Sequence, residues 1–389
     1  MTDKGDRFEG NERKYLDDVL KNGFTASKSG SMNERLEKKF AQLHDQKFAI
    51  TANSGTSTLH MALNAFGVGP GDEVIIPALT VAMCGFAVWQ CGAIPVYADV
   101  RNDTFLMDSN DVRKKITKKT KAIMPVHMYG NMCNMTEIMN ISKKYNLFVV
   151  EDCAECLYAS DDKNRKSGTI GHVGSWSFEN SKHLSTGDGG IVATDDEQLA
   201  TNMRQFGGVG FKNITANSGK VRIDRDKFQN PSYTRHNMFA FNYRMPELCA
   251  AVGLAQCERL DYFVDMRESM GHAYLQVMND YDLFLPQKTQ EGFRNTYWTF
   301  AAKFLGKEYD VSWYDFRKKY MENNGDGIYS AHQTTNNEPC FKNSKLGYGD
   351  VPIAESLQKD LMLFTTNQKD ENERNLQVSA LEKTIQFFK

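Results

Sequence analysis

The chain has 389 residues, with 47 Lys and Arg against 49 Asp and Glu for a formal net charge of -2, and it is 41% hydrophobic and 25% charged. That is a globular composition with room for about two to three domains. A near-neutral balance offers no broad electrostatic footprint for nucleic acid or an anionic membrane, so the expected partner is a small molecule.

The first residues, MTDKGDRFEGNERK, are charged where a signal peptide has an apolar core, which predicts a cytoplasmic protein. From about residue 33, helical-period segments alternate with apolar runs of four to seven residues, the pattern of a parallel sheet with helices on its faces. The spacing predicts helices over 33–44, 54–66, 80–91, 109–116 and 135–145, with strands over 48–51, 74–77, 94–100, 122–127 and 147–151. Residues 74–98 contain no Asp, Glu, Lys or Arg, and 25 such residues are long enough to cross a bilayer. Pro77, Gly85, Gln90, Gly92 and Pro95 divide them, so the run reads as a buried strand, helix and strand.

After residue 151 a glycine-rich stretch surrounds Lys182, followed by a helix at about 196–206. Residues 207–235 are irregular and hold Lys212, Lys220, Arg222, Arg225, Lys227 and Arg235 against Asp224 and Asp226, either a solvated loop or one that contacts phosphate. A long helical pattern over 246–278 leads to a strand at 298–305, a helix at 312–323 and a last helix near 371–388. The expected fold is α/β, a large doubly wound domain over 1–245 with N-terminal helices and a mixed or parallel sheet, then a linker helix and a smaller C-terminal α+β domain over 246–389. Eight Cys in a chain this long are no disulfide framework. Cys153 and Cys156 form a C-x-x-C, readable as a redox pair, half a zinc site or packed thiols. No second pair or H-x(3 to 5)-H completes a tetrahedral set, so no metal is expected.

Four features fall at the carboxyl ends of predicted strands, where open α/β sheets place ligands. Asn53-Ser54-Gly55-Thr56-Ser57 opens a helix and offers backbone N–H groups to a phosphate, although Ser and Thr also cap ordinary helices. Glu151-Asp152 ends an apolar run and suits a cap, a metal ligand or the partner of a protonated ring nitrogen. Lys182 stands in SFENSKH before TGDGG, and is either a surface lysine or a nucleophile. Arg244, in FNYRM, can clamp a phosphate or carboxylate or form a structural ion pair. Together, a phosphate cradle, an acid at a strand end and a lysine about 30 residues later are what pyridoxal 5'-phosphate (PLP) requires.

The stretches NSGTSTLHMAL, GPGDEVIIPALT, GAIPVYADV, TKAIMPVHMYGN, VVEDCAE, WSFENSKHLSTGDGG and FNYRMPELCAAVGLAQ occur in the order of one family. The chain resembles the DegT/StrS-type sugar aminotransferases, among the fold-type I PLP enzymes, from about residue 22 to 388. The resemblance implies Lys182 as the Schiff-base lysine, Asp152 facing the pyridine nitrogen, and Glu155 beside the cofactor hydroxyl. It places Gly55, Thr56 and Ser177 at the phosphate, with Ser57 in the same turn. Asn242 would reach the phosphate of a neighbouring subunit, which implies a homodimer or a higher homo-oligomer. A related branch carries His in place of the lysine and removes a hydroxyl from a keto sugar, so Lys182 implies transamination.

EDCAE, NTYW and CAAVGLAQCE are most similar to the branch that aminates C4 of GDP-4-keto-6-deoxymannose to give GDP-perosamine for surface glycans, with glutamate the expected donor. There Arg244 and His332 are the substrate candidates. Three departures stand out: Val81 where an aromatic usually stacks on the cofactor ring, a polar start without the usual strand-like segment, and a longer YSAHQTTNNEPCF region. A PLP-dependent dehydratase, a C3 or C4 aminotransferase acting on a UDP- or dTDP-linked sugar, and a non-catalytic regulatory member are the alternative readings.

Overall fold

A computed structural model describes residues 7–24, 30–219 and 224–389; Lys220 and Arg222 of the basic loop lie outside them. Two helices come first, α1 (Glu12–Asn22) and α2 (Met32–Leu43). Strict alternation follows, with β1 (Phe48–Ala52), α3 (Gly55–Ala65), β2 (Glu73–Pro77), α4 (Met83–Gln90), β3 (Ile94–Ala98), α5 (Ser109–Lys115), β4 (Thr120–Ile123), α6 (Met135–Tyr145) and β5 (Phe148–Asp152). The pair β6 (Val173–Ser177) and β7 (Gly190–Thr194) then precedes α7 (Glu197–Gly207) and the short α8 (Arg225–Gln229).

These seven strands form one sheet in the order β1-β7-β6-β5-β4-β2-β3. All run the same way except β7, which is antiparallel to both β6 and β1, so the expected doubly wound sheet is mixed. Helices cover both faces, which is why β2 is buried at every residue and reads as a continuous apolar run rather than an alternating one. The charge-free run 74–98 becomes the core of this layer: Val74, Ile75, Ile76, Val88 and Val96 are fully buried. No helix among the described residues is long and apolar enough to cross a membrane.

The helical pattern over 246–278 is two helices, α9 (Glu247–Cys257) and α10 (Leu260–Asn279), parted at Arg259, where φ is -116° and ψ is 20°. α9 packs with α1 and α2 over Trp176 and Phe178 of the large sheet. α10 faces a second sheet built from β8 (Phe284–Pro286), β9 (Phe300–Phe304), β10 (Ile328–Ser330) and β11 (Leu361–Phe364), ordered β10-β11-β9-β8 and antiparallel throughout. Between these strands lie α11 (Trp313–Glu322), α12 (Pro339–Ser344) and α13 (Pro352–Asp360), and α14 (Glu371–Phe388) closes the second core. The packing therefore changes partner between α9 and α10. The missed strands β8, β10 and β11 are three, three and four residues long, too short to show a period of their own.

Candidate active site

Consecutive residues of a strand point to opposite faces, and at the end of β5 this separates two neighbouring acids. Glu151 is fully buried and accepts the backbone N–H groups of Gly168, Ile170 and Gly171 at 3.0, 2.7 and 2.5 Å, together with His127 Nε2 at 3.0 Å. The N–H of Cys133 lies 3.1 Å from His127 Nδ1. Burial disfavours a charge on the imidazole, but its interactions with Cys133 and Glu151 win and raise its pKa to about 10. With Cys153 these groups lie as close together as metal ligands do, but both ring nitrogens and both carboxylate oxygens are already committed.

Asp152 is equally buried and far less satisfied. Oδ1 accepts the Ala154 N–H at 3.0 Å, and Oδ2 accepts the Cys84 thiol at 3.1 Å. Burial pushes its pKa above the ordinary carboxylate value, while those two bonds and the positive charge of Lys182 pull it back. An acid left with spare lone pairs in a buried pocket suits a cationic ring N–H.

Lys182 sits on a turn after β6, where its N–H donates to Glu179 at 3.0 Å. Its Nζ lies 3.3 Å from Glu155 Oε1 and 4.1 Å from the centre of the Trp298 ring. Glu155 Oε2 accepts the N–H of Tyr129, a residue held at φ 67°. The turn is clamped from two sides. Arg7 donates to the carbonyls of Asn180 and Lys182, while Arg267 Nη2 and Trp298 Nε1 both donate to that of Ser181. His183 is buried beneath the turn, its Nε2 3.0 Å from the Thr296 carbonyl, and burial holds its pKa well below the ordinary value. It is a packing residue of this loop.

The first helical N–H groups have no intrahelical acceptor. In α3 the Ser54 hydroxyl takes the N–H of Ser57, leaving those of Gly55 and Thr56 for a ligand. Two glycines keep this spot open: a Cβ on Gly55 would fall 2.8 Å from Ser177 Cβ, and one on Gly190 would fall 2.7 Å from the Ser54 carbonyl. Ser57 itself is buried and donates its hydroxyl to Asn53, so it braces the turn from behind. The cradle is joined to the acid through Thr58, whose hydroxyl lies 2.7 Å from that of Ser175, and Ser175 is the register partner of Asp152. An amine after β6, a buried acid at the end of β5 and bare helix-end amides after β1 thus lie at the same end of the sheet, the donor set PLP needs. Val81 is half-buried and packs on the large core just before α4, without an aromatic face to offer.

Asn242 and Arg244 are exposed and border a separate cavity of about 630 Å³ with Glu37, Arg204 and Glu247; Lys182 and Asp152 do not line it. Within one chain, the structure does not bring these two to the lysine. His332 is exposed, but its loop reaches the site, since the N–H of Thr335 donates to the Ala78 carbonyl two residues before Thr80. In the basic loop Lys212 bonds to Thr234, and Arg235 lies over Phe228. All eight cysteines are free thiols, with Cys153 and Cys156 buried. Cys84, Trp298, Arg267 and Arg7 were missed as site residues. NTYW, which ends in Trp298, is the one sequence signal that points to any of them.

A mixed seven-stranded sheet with a lysine turn facing a buried acid defines a fold-type I PLP enzyme. The chain belongs to the DegT/DnrJ/EryC1/StrS aminotransferase family, which it matches over residues 6–379. It is a PLP-dependent aminotransferase of that family. It is 37% identical to a GDP-perosamine synthase of Escherichia coli O157:H7 over 289 residues, 74% of each chain. A GDP-perosamine synthase of Caulobacter vibrioides is 39% identical over 272 residues, 70% of this chain and 68% of that one. The solved structure of an aminotransferase from Psychrobacter cryohalolentis superposes with a TM-score of 0.89 at 27% identity, covering 98% of both chains.

Proposed function

We propose that this enzyme transfers an amino group from glutamate to C4 of GDP-4-keto-6-deoxymannose, giving GDP-perosamine for a surface polysaccharide. The observation that carries the reading is the pairing of perosamine-synthase likeness, at 33–39% identity, with a lysine at position 182. The family resemblance implies a histidine at that position in the related dehydratase branch.

PLP, when bound, supplies an electron sink and a carbon that carries the amino group from donor to acceptor. In this reading Lys182 holds it covalently, and its freed amine moves the proton at the reacting carbon. Asp152 keeps a negative charge against the ring nitrogen, and Glu155 accepts from the ring side while steering Nζ. The amides of Gly55 and Thr56 with Ser177 hold the phosphate, and Ser57 braces them. Trp298 supplies an aromatic face beside Lys182 that Val81 lacks. Arg244 and His332 are the proposed substrate contacts, and Asn242 reaches the phosphate in a partner subunit of a homodimer. Phe239, fully exposed near Asn242, supports a covered face there. The cofactor domain then runs through α9, and the smaller domain begins at α10.

The test is a panel of nucleotide keto-sugars with PLP and glutamate, read by mass spectrometry for conversion of carbonyl to amine. The GDP-linked 4-keto sugar should react. Products from UDP- or dTDP-linked sugars alone would overturn the substrate assignment, and water loss without donor consumption would mark a dehydratase.

A further inference from the structure

Among the described residues the carboxyl group of Asp152 has one side-chain hydrogen-bond partner, and it is a sulfur. Cys84 lies in the first turn of α4, fully buried, inside the charge-free run. Its Sγ is 3.1 Å from Asp152 Oδ2 and 3.3 Å from Thr80 Oγ1. A thiol has one proton, so if it donates to Asp152, the Thr80 hydroxyl must donate to the sulfur. The three groups form a directed chain from Thr80 through Cys84 to Asp152.

We propose that Cys84 is a positioning residue for Asp152, its S–H fixing the rotation and charge of the carboxylate that meets the cofactor ring. This rests on the reading that Asp152 faces the ring nitrogen. Two donors on different oxygens, Ala154 N–H on Oδ1 and Cys84 S–H on Oδ2, set the carboxyl plane. Lone pairs remain on each oxygen for a third donor. Burial, and then the charge of Asp152, push the thiol well above its ordinary pKa, so it stays a donor at every working pH. The other groups facing the pair are Lys182 and His127, whose charges lower the pKa of Asp152, and Glu155, whose charge raises that of Cys84. None of them donates a hydrogen bond to Oδ2, which leaves the thiol as the only described side chain that orients it.

The contact can be tested without cofactor. The S–H stretching band of Cys84, identified by its loss in Cys84→Ser, should lie at the hydrogen-bonded end of the cysteine range and move in Asp152→Asn. A band at the unbonded position, unmoved by Asp152→Asn, would overturn the proposal even if the alanine variant fails to fold. In loaded enzyme, Cys84→Ala should lower kcat roughly 10-fold with KM for glutamate unchanged. It should also shift the pH midpoint of the cofactor absorbance, and Cys84→Ser should restore both in large part. If Asp152→Asn keeps wild-type turnover and absorbance, the placement of Asp152 is wrong and the role of Cys84 falls with it. If Asp152→Asn is inactive while Cys84→Ala matches wild type throughout, only the role of Cys84 is lost.

Discussion

Glu151 and Asp152 are adjacent, equally buried acids at the end of one strand, and they are built for opposite purposes. Four donors saturate Glu151, three of them backbone N–H groups of the turn at 168–171, so it fastens that turn and His127 to β5. Two donors meet Asp152, which keeps a buried charge incompletely paired and ready for a ligand. A saturated buried acid is architecture. An undersatisfied one costs folding energy and persists where chemistry needs it.

Substitutions should separate these roles. The largest effect is expected at Lys182, whose charge is felt by Asp152: Lys182→Ala should lower kcat by about 10³-fold or more while leaving the fold intact, checked by turnover and circular dichroism. On the Glu151 side the loss should be structural. Glu151→Ala strands four buried donors and should destabilise the protein by about 3–5 kcal/mol, read as a lower urea midpoint. Asp152→Asn should not lower that midpoint yet should remove most turnover, and equal stability losses at both positions would erase the contrast.

A smaller effect is expected at the cradle. Gly55→Ala drives a Cβ to 2.8 Å from Ser177 and should weaken cofactor retention by about 1–3 kcal/mol, measured by dialysis and absorbance. The finest test uses pH. Since burial raises the pKa of Asp152 in the folded chain, its contribution to stability is full below the ordinary carboxylate range and is lost as pH rises through the raised value. Urea midpoints of cofactor-free wild type should therefore fall relative to Asp152→Asn across that window, and parallel curves would show that Asp152 is not strained.

Much of this was legible from residue order. Periodicity located β1 to β5 and their helices to within a few residues, because a sheet covered on both faces leaves unbroken apolar runs. The glycines, the strand-end acids and Lys182 announced a cofactor, since backbone approach and charge at such points are hard to explain as packing. The direction of β7 was not legible, because β6 and β7 look alike as short buried runs whichever way they lie. Nor was the break between α9 and α10, where the apolar pattern continues and only packing partners change.

What the sequence determined by itself is the chemistry available: an amine, two acids and a helix start, in an order that belongs to one family. Only the tertiary structure decided which acid faces the lysine. A pleat sends residues 151 and 152 to opposite sides, and nothing in the letters ED says which side holds backbone donors and which holds a thiol. The structure also drew the buried run 74–98 into the site, since Cys84 and Asp152 are 68 residues apart in the chain and meet only when β2 and β5 flank the same strand.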